Sequence, residues 1–338
     1  MILDIIVKSF NRPYYLERCL QSIYKYVDGE FNITILDDGT PHRYLDRIAA
    51  RYPEARIVKS DLYEDKVSAL KDHIDNIASF RSFTIPVDLW KNQVAQCSPV
   101  FLLLEDDIWL TEHINLSSML PLIERHKLRV VKIGWSGNER VNQGDKYPIS
   151  GELEEITPAL PCNSKLWYKA IALNRFKLRA VLYRLGLITD TYDLPYYTMY
   201  TVAAAFFSRD YWLYLWKDAQ QKVNENQQLV NALDWKNRYP ADKFGRTMKE
   251  FSKTSYLSSA TNNFKDISFD MIVFNRVMNE AWYNGKLDPM ENFPLDFNVS
   301  YLNSFLAAAA DERCTVTGWG QWTVKFKSQY IKMGCHVE

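Results

Sequence analysis

Residues 100–104 read Val-Phe-Leu-Leu-Leu, and the run ends abruptly in three consecutive carboxylates, Glu105, Asp106 and Asp107. A strand with one wet face alternates apolar and polar residues, whereas a run without alternation is buried on both faces, as in the parallel sheet of an α/β protein. The carboxylates then stand at the strand's carboxyl end, the edge of an open α/β sheet where ligands bind. Adjacent like charges repel, and a hard cation relieves the repulsion. The plainer alternative is a solvated turn leading into a helix that starts at Thr111, Glu112 and His113.

Two strand-and-turn units precede it, the second of which also ends in carboxylates. "ILDIIVK" predicts a strand, followed by Asn11-Arg12-Pro13, whose proline suits a first helical turn; Leu16, Cys19, Leu20 and Ile23 then recur at helical spacing. "FNITILDDGT" predicts a second strand ending in the turn Asp37-Asp38-Gly39. Helices predicted over 41–52, 65–76, 87–95 and 115–125 alternate with strands over 55–59 and in "LRVVKIGW". Residues 1–135 therefore predict a doubly wound sheet with both acidic turns on its ligand edge.

Beyond Trp135 the pattern loosens. Residues 136–164 are polar and turn-rich, and 174–185 predict a basic amphipathic helix with Arg175, Lys177, Arg179 and Arg184. Such a helix offers either a solvated face or a contact for an anionic membrane surface or a lipid diphosphate. "YTMYTVAAAFF" predicts a buried strand and Ser208 a helix cap, while 220–253 is polar with room for mobile segments. Asp270 opens the helix in "FDMIVFNRVMNEAW". The C-terminal "TGWGQWTVKFKSQYIKMGCHVE" is expected to pack as an amphipathic strand, with a tail closing over a diphosphate as the alternative.

Composition excludes several classes. Lysine plus arginine equals aspartate plus glutamate, 41 against 41, so no global field favours nucleic acid or an anionic membrane. The five cysteines are scattered with no C-x-x-C pair, which suggests neither a disulfide framework nor a zinc site and fits a reducing cytoplasm. No stretch predicts a signal peptide or a transmembrane helix. The first glycine is Gly29, so no glycine-rich loop follows the first strand; this removes the dinucleotide fingerprint and the P-loop.

The blocks "VKSFNRPYYLERCLQSI", "ITILDDGT" and "FLLLEDDIW" resemble the leading blocks of GT-A nucleotide-sugar glycosyltransferases of the family-2 type. The "EDD" form is similar to that of the N-acetylglucosaminyltransferases. The resemblance covers roughly the first third of the chain. It implies an α/β, Rossmann-like GT-A fold, a mostly parallel sheet flanked by helices with a C-terminal elaboration. The division expected is a nucleotide-sugar half at 1–135, an acceptor half at 136–290 and an extension at 291–338. The resemblance places Ser9, Phe10, Asn11 and Arg12 beside the nucleotide and Asp38 on its base or ribose. Asp106 falls near the ribose, and Asp107 is the ligand of a Mn²⁺ or Mg²⁺ ion bridging the two phosphates, with Glu105 behind it.

An inverting enzyme also needs a carboxylate to take the acceptor's proton. Asp270 is the candidate, with Asp266 and Glu280 as competitors and a simple N-cap as the alternative role for Asp270. The expected activity is metal-dependent transfer of a sugar, with UDP as the default nucleotide, to a glycan or lipid-linked glycan in surface polysaccharide synthesis. The expected place is the cytoplasm, at the inner face of the membrane, with peripheral membrane contact and no nucleic-acid partner. The rivals are an inactive nucleotide-sugar or glycan-binding relative and a glycoside hydrolase.

Overall fold

The computed structural model describes residues 2–81 and 84–337. Nine strands form its main sheet: β1 Leu3–Ser9, β2 Phe31–Asp37, β3 Arg56–Lys59, β4 Val100–Glu105, β5 Leu128–Lys132, β6 Gly144–Pro148, β7 Leu153–Pro158, β8 Ala205–Ser208 and β9 Lys243–Thr247. Their order is β3-β2-β1-β4-β8-β5-β9-β7-β6. Only β8 and β7 run against the rest. The architecture is the α/β, mostly parallel sheet flanked by helices that the sequence predicted.

The unbroken apolar run of β4 has its physical reason in this position. Val100, Leu102 and Leu104 enter a core on one face of the sheet, while Phe101 and Leu103 enter a second core on the other. The first core is covered by α1 Pro13–Tyr26, α2 His42–Arg51, α5 Leu116–Arg125, α10 Met271–Tyr283, α11 Val299–Ala309 and α12 Val316–Met333. The second is covered by α4 Val87–Val94, α6 Lys165–Ala172, α8 Arg209–Leu215 and α9 Glu225–Arg238. The helices α3 Tyr63–Ile74 and α7 Leu178–Arg184 complete the set. All five cysteines are free.

Several expectations for the second half are corrected. Residues 136–164 hold the antiparallel strands β6 and β7 at the sheet edge. The strand expected at "YTMYTVAAAFF" is limited to β8, preceded by a 3-10 helix at Leu194–Met199. The basic helix at 174–185 is broken into a 3-10 turn, Arg175–Lys177, and α7.

The polar stretch 220–253 holds α9 and β9. Among its buried apolar residues Leu229, Val230, Ala232 and Leu233, α9 also buries hydrogen-bonded polar ones: Gln228 accepts from the Tyr200 hydroxyl, Asn231 Nδ2 donates to the Leu215 carbonyl at 3.0 Å, and Asp234 accepts from Tyr214 at 2.5 Å. Hydrogen-bonded polar groups can be buried beside apolar ones, which weakens the contrast between the two faces of the helix. The C-terminal segment is the helix α12 and not a strand. Trp319, Trp322 and Phe326 recur at i, i+3 and i+7 and are buried, the spacing of one helix face. Gly318 is required there, since a Cβ would meet the Ser268 carbonyl at 2.6 Å.

Candidate active site

In register, β1 pairs Ser9 with Asp37 of β2 and Lys8 with Glu105 of β4. The ends of three adjacent parallel strands thus bring the three sequence blocks to one edge, where a cleft of about 1320 Å³ opens. Ser9, Phe10, Arg12, Asp38, Asp106 and Asp107 all line it. Asn11 does not line it: it takes a left-handed conformation (φ 53°), and its side chain accepts a hydrogen bond from Asn279 Nδ2 at 3.0 Å. Asn11, expected from the sequence to lie beside a nucleotide, instead sits behind the cleft wall and shapes the turn, while Phe10 and Arg12 line the cleft.

Each carboxylate of the acidic turn meets a cation. Glu105 pairs with Lys8 at 2.6 Å, Asp107 with Arg12 Nη1 at 2.7 Å, and Asp106 with Arg12 Nη2. Asp106 also accepts from the Phe10 backbone N–H at 3.1 Å, which ties the turn to β1. Burial alone would lower the Arg12 pKa, but Asp106 and Asp107 raise it above its ordinary value. Burial pushes the Asp106 carboxyl up to about 7 and raises Asp107, while Arg12 opposes both shifts.

A raised carboxyl pKa has a definite sign in stability. The folded state holds the extra proton between the ordinary carboxylate range and about pH 7, so stability falls as pH rises through that window. The melting temperature is accordingly expected to decline between about pH 5 and pH 7.5, and Asp106→Asn to flatten that decline. Parallel profiles for the variant and the parent would dismiss Asp106 as the titrating group.

The two aspartates after β2 divide their work. Asp37 is fully buried and holds the turn together, accepting from the N–H groups of Gly39 and Thr40 at 3.0 and 2.8 Å and from the Thr40 hydroxyl at 2.7 Å. Asp38 faces the cleft and pairs with Lys66 of α3. Its Oδ1 is buried without a hydrogen bond of good geometry, although the Ser60 hydroxyl is near enough to favour the ionised form. Burial is the larger influence and raises the Asp38 pKa. A buried acceptor in this state gains from an incoming N–H or O–H donor. Phe10 lies 6.2 Å from Phe80, centroid to centroid, on the same wall.

Asp270 is not on the cleft wall. Its Oδ1 accepts from the N–H groups of Ile272 and Val273 at 2.9 and 3.3 Å, and its Oδ2 lies 2.6 Å from His73 Nε2. It is the N-cap of α10, tying that helix to α3. The competitors are no nearer: Asp266 pairs with Lys325, and Glu280 with Arg43 and Arg276. Glu225, at the start of α9, does line the cleft. It accepts from the Tyr197 hydroxyl at 2.5 Å and, among the described residues, carries no ion-pair partner. The sequence concealed it in the polar stretch after Gln220.

The C-terminal helix also reaches the cleft through Phe326, Gln329, Tyr330 and Met333. Tyr330 packs edge-on against Tyr256 at 4.9 Å. Burial pushes its phenol up to about 12, and the fields of Asp107, Glu105 and Glu225 all add to the shift. Glu225 and the acidic turn thus line the same cleft and both lie within electrostatic range of this hydroxyl.

No family model matches the chain, and no curated protein matches it. Among solved structures it is similar to S. aureus TarS 1-349 in complex with UDP-GlcNAc, with 13% identity over 98% of this chain and 92% of that one and a TM-score of 0.43. It is also similar to glucosyl-3-phosphoglycerate synthase from Mycobacterium tuberculosis in complex with Mn²⁺, UDP and glucosyl-3-phosphoglycerate, with 14% identity, 85% and 81% coverage and a TM-score of 0.39. A likeness at this level says nothing of substrate, and the chemistry of the cleft rests on its own side chains.

Proposed function

We propose that the chain is a glycosyltransferase, moving a sugar from a nucleoside-diphosphate donor, UDP by default, to a hydroxyl of a glycan or lipid-linked glycan in surface polysaccharide synthesis. The supporting observation is the meeting of Asp38, Arg12 and the acidic turn on one wall of a cleft roomy enough for two substrates, since single small-molecule sites occupy about 300–1,000 Å³. On this reading residues 1–135 hold the donor and 136–290 the acceptor, while α12, from the extension 291–338, covers the space between. Asp38 accepts from the base or ribose, and Phe10 lies against the base.

Among the described residues no group of three His, Cys, Asp or Glu side chains could hold a metal ion alone. Asp107 pairs with Arg12 through Oδ2, which leaves Oδ1 without a side-chain partner among the described residues. A hard divalent ion commonly takes one or two carboxylates and completes its shell with substrate phosphates and water, and Asp107 with Glu105 behind it fits that pattern. Mn²⁺ or Mg²⁺ so held supplies Lewis-acid neutralisation of the departing diphosphate. The protein's own part is to orient the donor through Asp38 and to bring Arg12 to the phosphates. With inversion, the acceptor oxygen attacks the anomeric carbon, the bond to the diphosphate breaks, and the acceptor's proton passes to Glu225.

Among the described residues no helix is long and apolar enough to cross a membrane. Calorimetry of UDP, GDP and dTDP with Mn²⁺ and with EDTA tests the donor assignment. One nucleotide should bind at least about tenfold more tightly with the ion, a difference of about 1.4 kcal/mol. Equal affinity with EDTA would remove the metal. No nucleotide binding at all would return the cleft to a glycoside hydrolase, and binding without hydrolysis or transfer of the sugar would leave a binding protein.

A further inference from the structure

From residue 156 to residue 189 the chain contains no Asp or Glu but six cations. Lys165 and Arg179 are committed, to Asp234 at 3.0 Å and to Asp193 at 2.5 Å. Arg175, Lys177 and Arg184 are exposed and have no ion-pair partner among the described residues. Large apolar side chains stand out to solvent beside them: Phe176 is 98% exposed, Leu166 79%, Leu187 66%, Leu185 65% and Trp167 61%. Single exposed apolar residues are ordinary, but a cluster of this kind marks a contact surface.

The backbone supports the display of Phe176. Asn174, Phe176 and Lys177 all have positive φ, 47°, 55° and 59°. Bulky side chains rarely adopt this left-handed conformation, and it is retained where surrounding structure or function over-determines it. Here it lifts the aromatic ring clear of α6 and α7 and sets it between two cations.

We infer that this surface, formed by α6, the turn at Arg175–Lys177 and α7, docks the protein on an anionic phospholipid bilayer. Apolar and aromatic tips enter the headgroup and acyl boundary, while Arg175, Lys177 and Arg184 meet lipid phosphates. Charge decides against a second copy of the chain: an isologous contact would set these unpaired cations against their own images. The surface adjoins the cleft, because Asp193, which holds Arg179 and the Tyr168 hydroxyl, directly precedes the 3-10 helix whose Leu194 and Tyr197 line it. Docking would present that side of the cleft to the bilayer. The inference stands on the surface alone and does not depend on the transfer reaction.

Co-sedimentation with vesicles of phosphatidylglycerol and of phosphatidylcholine tests it, using the whole chain. Binding is expected on phosphatidylglycerol and should weaken with salt. One cation near such a surface changes partitioning by roughly fivefold, so Arg175→Gln, Lys177→Gln and Arg184→Gln together should reduce it about a hundredfold. Phe176→Ser with Leu185→Ser should reduce it at least about tenfold, because each buried apolar side chain adds its transfer free energy. All five side chains are exposed, and circular dichroism should report an unchanged fold. The inference is overturned by absence of binding to phosphatidylglycerol, by equal binding to phosphatidylcholine, or by variants that bind like the parent. It is also overturned by sedimentation velocity showing a dimer that the Phe176→Ser and Leu185→Ser variant abolishes.

Discussion

Asp107→Asn is expected to leave the chain folded and to cut turnover by about a thousandfold. The amide keeps the shape of the side chain and can still accept from Arg12 Nη1, but it loses the charge that a divalent ion requires. Loss of several kcal/mol of stabilisation on the departing diphosphate translates to this factor at about 1.4 kcal/mol per tenfold. The measurement is the turnover number at saturating donor and Mn²⁺, with calorimetry of the nucleotide on the same sample. The Asn variant should also lose the gain in nucleotide affinity that Mn²⁺ brings. A turnover number near that of the parent would show that the acidic turn has another purpose.

Glu225→Gln is the second large effect. The Gln carbonyl can keep the hydrogen bond from Tyr197, so the local structure should survive while the proton acceptor is lost. General-base catalysis contributes about a hundredfold to ten-thousandfold, and the turnover number should fall within that range with donor and metal affinity unchanged. Asp270→Asn is the matching control. Asparagine caps helices as well as aspartate, so the N–H groups of Ile272 and Val273 stay satisfied and the rate should stay within a few-fold of the parent. If the two variants exchange these outcomes, the base belongs to α10 after all.

The side of this site built on β1, β2 and β4 was legible because its residues follow hydrophobic strands. An apolar run, an acidic turn and the next helix are close in sequence, and the parallel register of β2, β1 and β4 assembles them without long-range information. Composition could not decide which aspartate of the pair after β2 faces the cleft. Asp37 and Asp38 are adjacent, and only the turn geometry turns one inward and the other outward. The other side of the cleft was hidden for a different reason. Its wall comes from α9 and α12: the first buries hydrogen-bonded polar residues, and the second carries two glycines that disguise an apolar face at helical spacing. Asp270 was misplaced because helix caps and catalytic carboxylates share a sequence signature, and only its partner His73, 197 residues away, separates the two.

Arg12 makes ligand entry an exchange of partners. A guanidinium stays protonated at every working pH, so the turn carries a permanent internal counterion. With Lys8 it sets two positive charges against the carboxyl groups of Glu105, Asp106 and Asp107. On the proposed reading an arriving diphosphate would meet a wall whose carboxylates are already paired, and Arg12 would be free to turn from Asp107 to phosphate oxygens. The same planar fork that held the carboxylate suits phosphate oxygens equally well. If the proposed exchange occurs, the acidic turn is already desolvated and paired when the chain folds, so its charges need not be dried out again at each turnover.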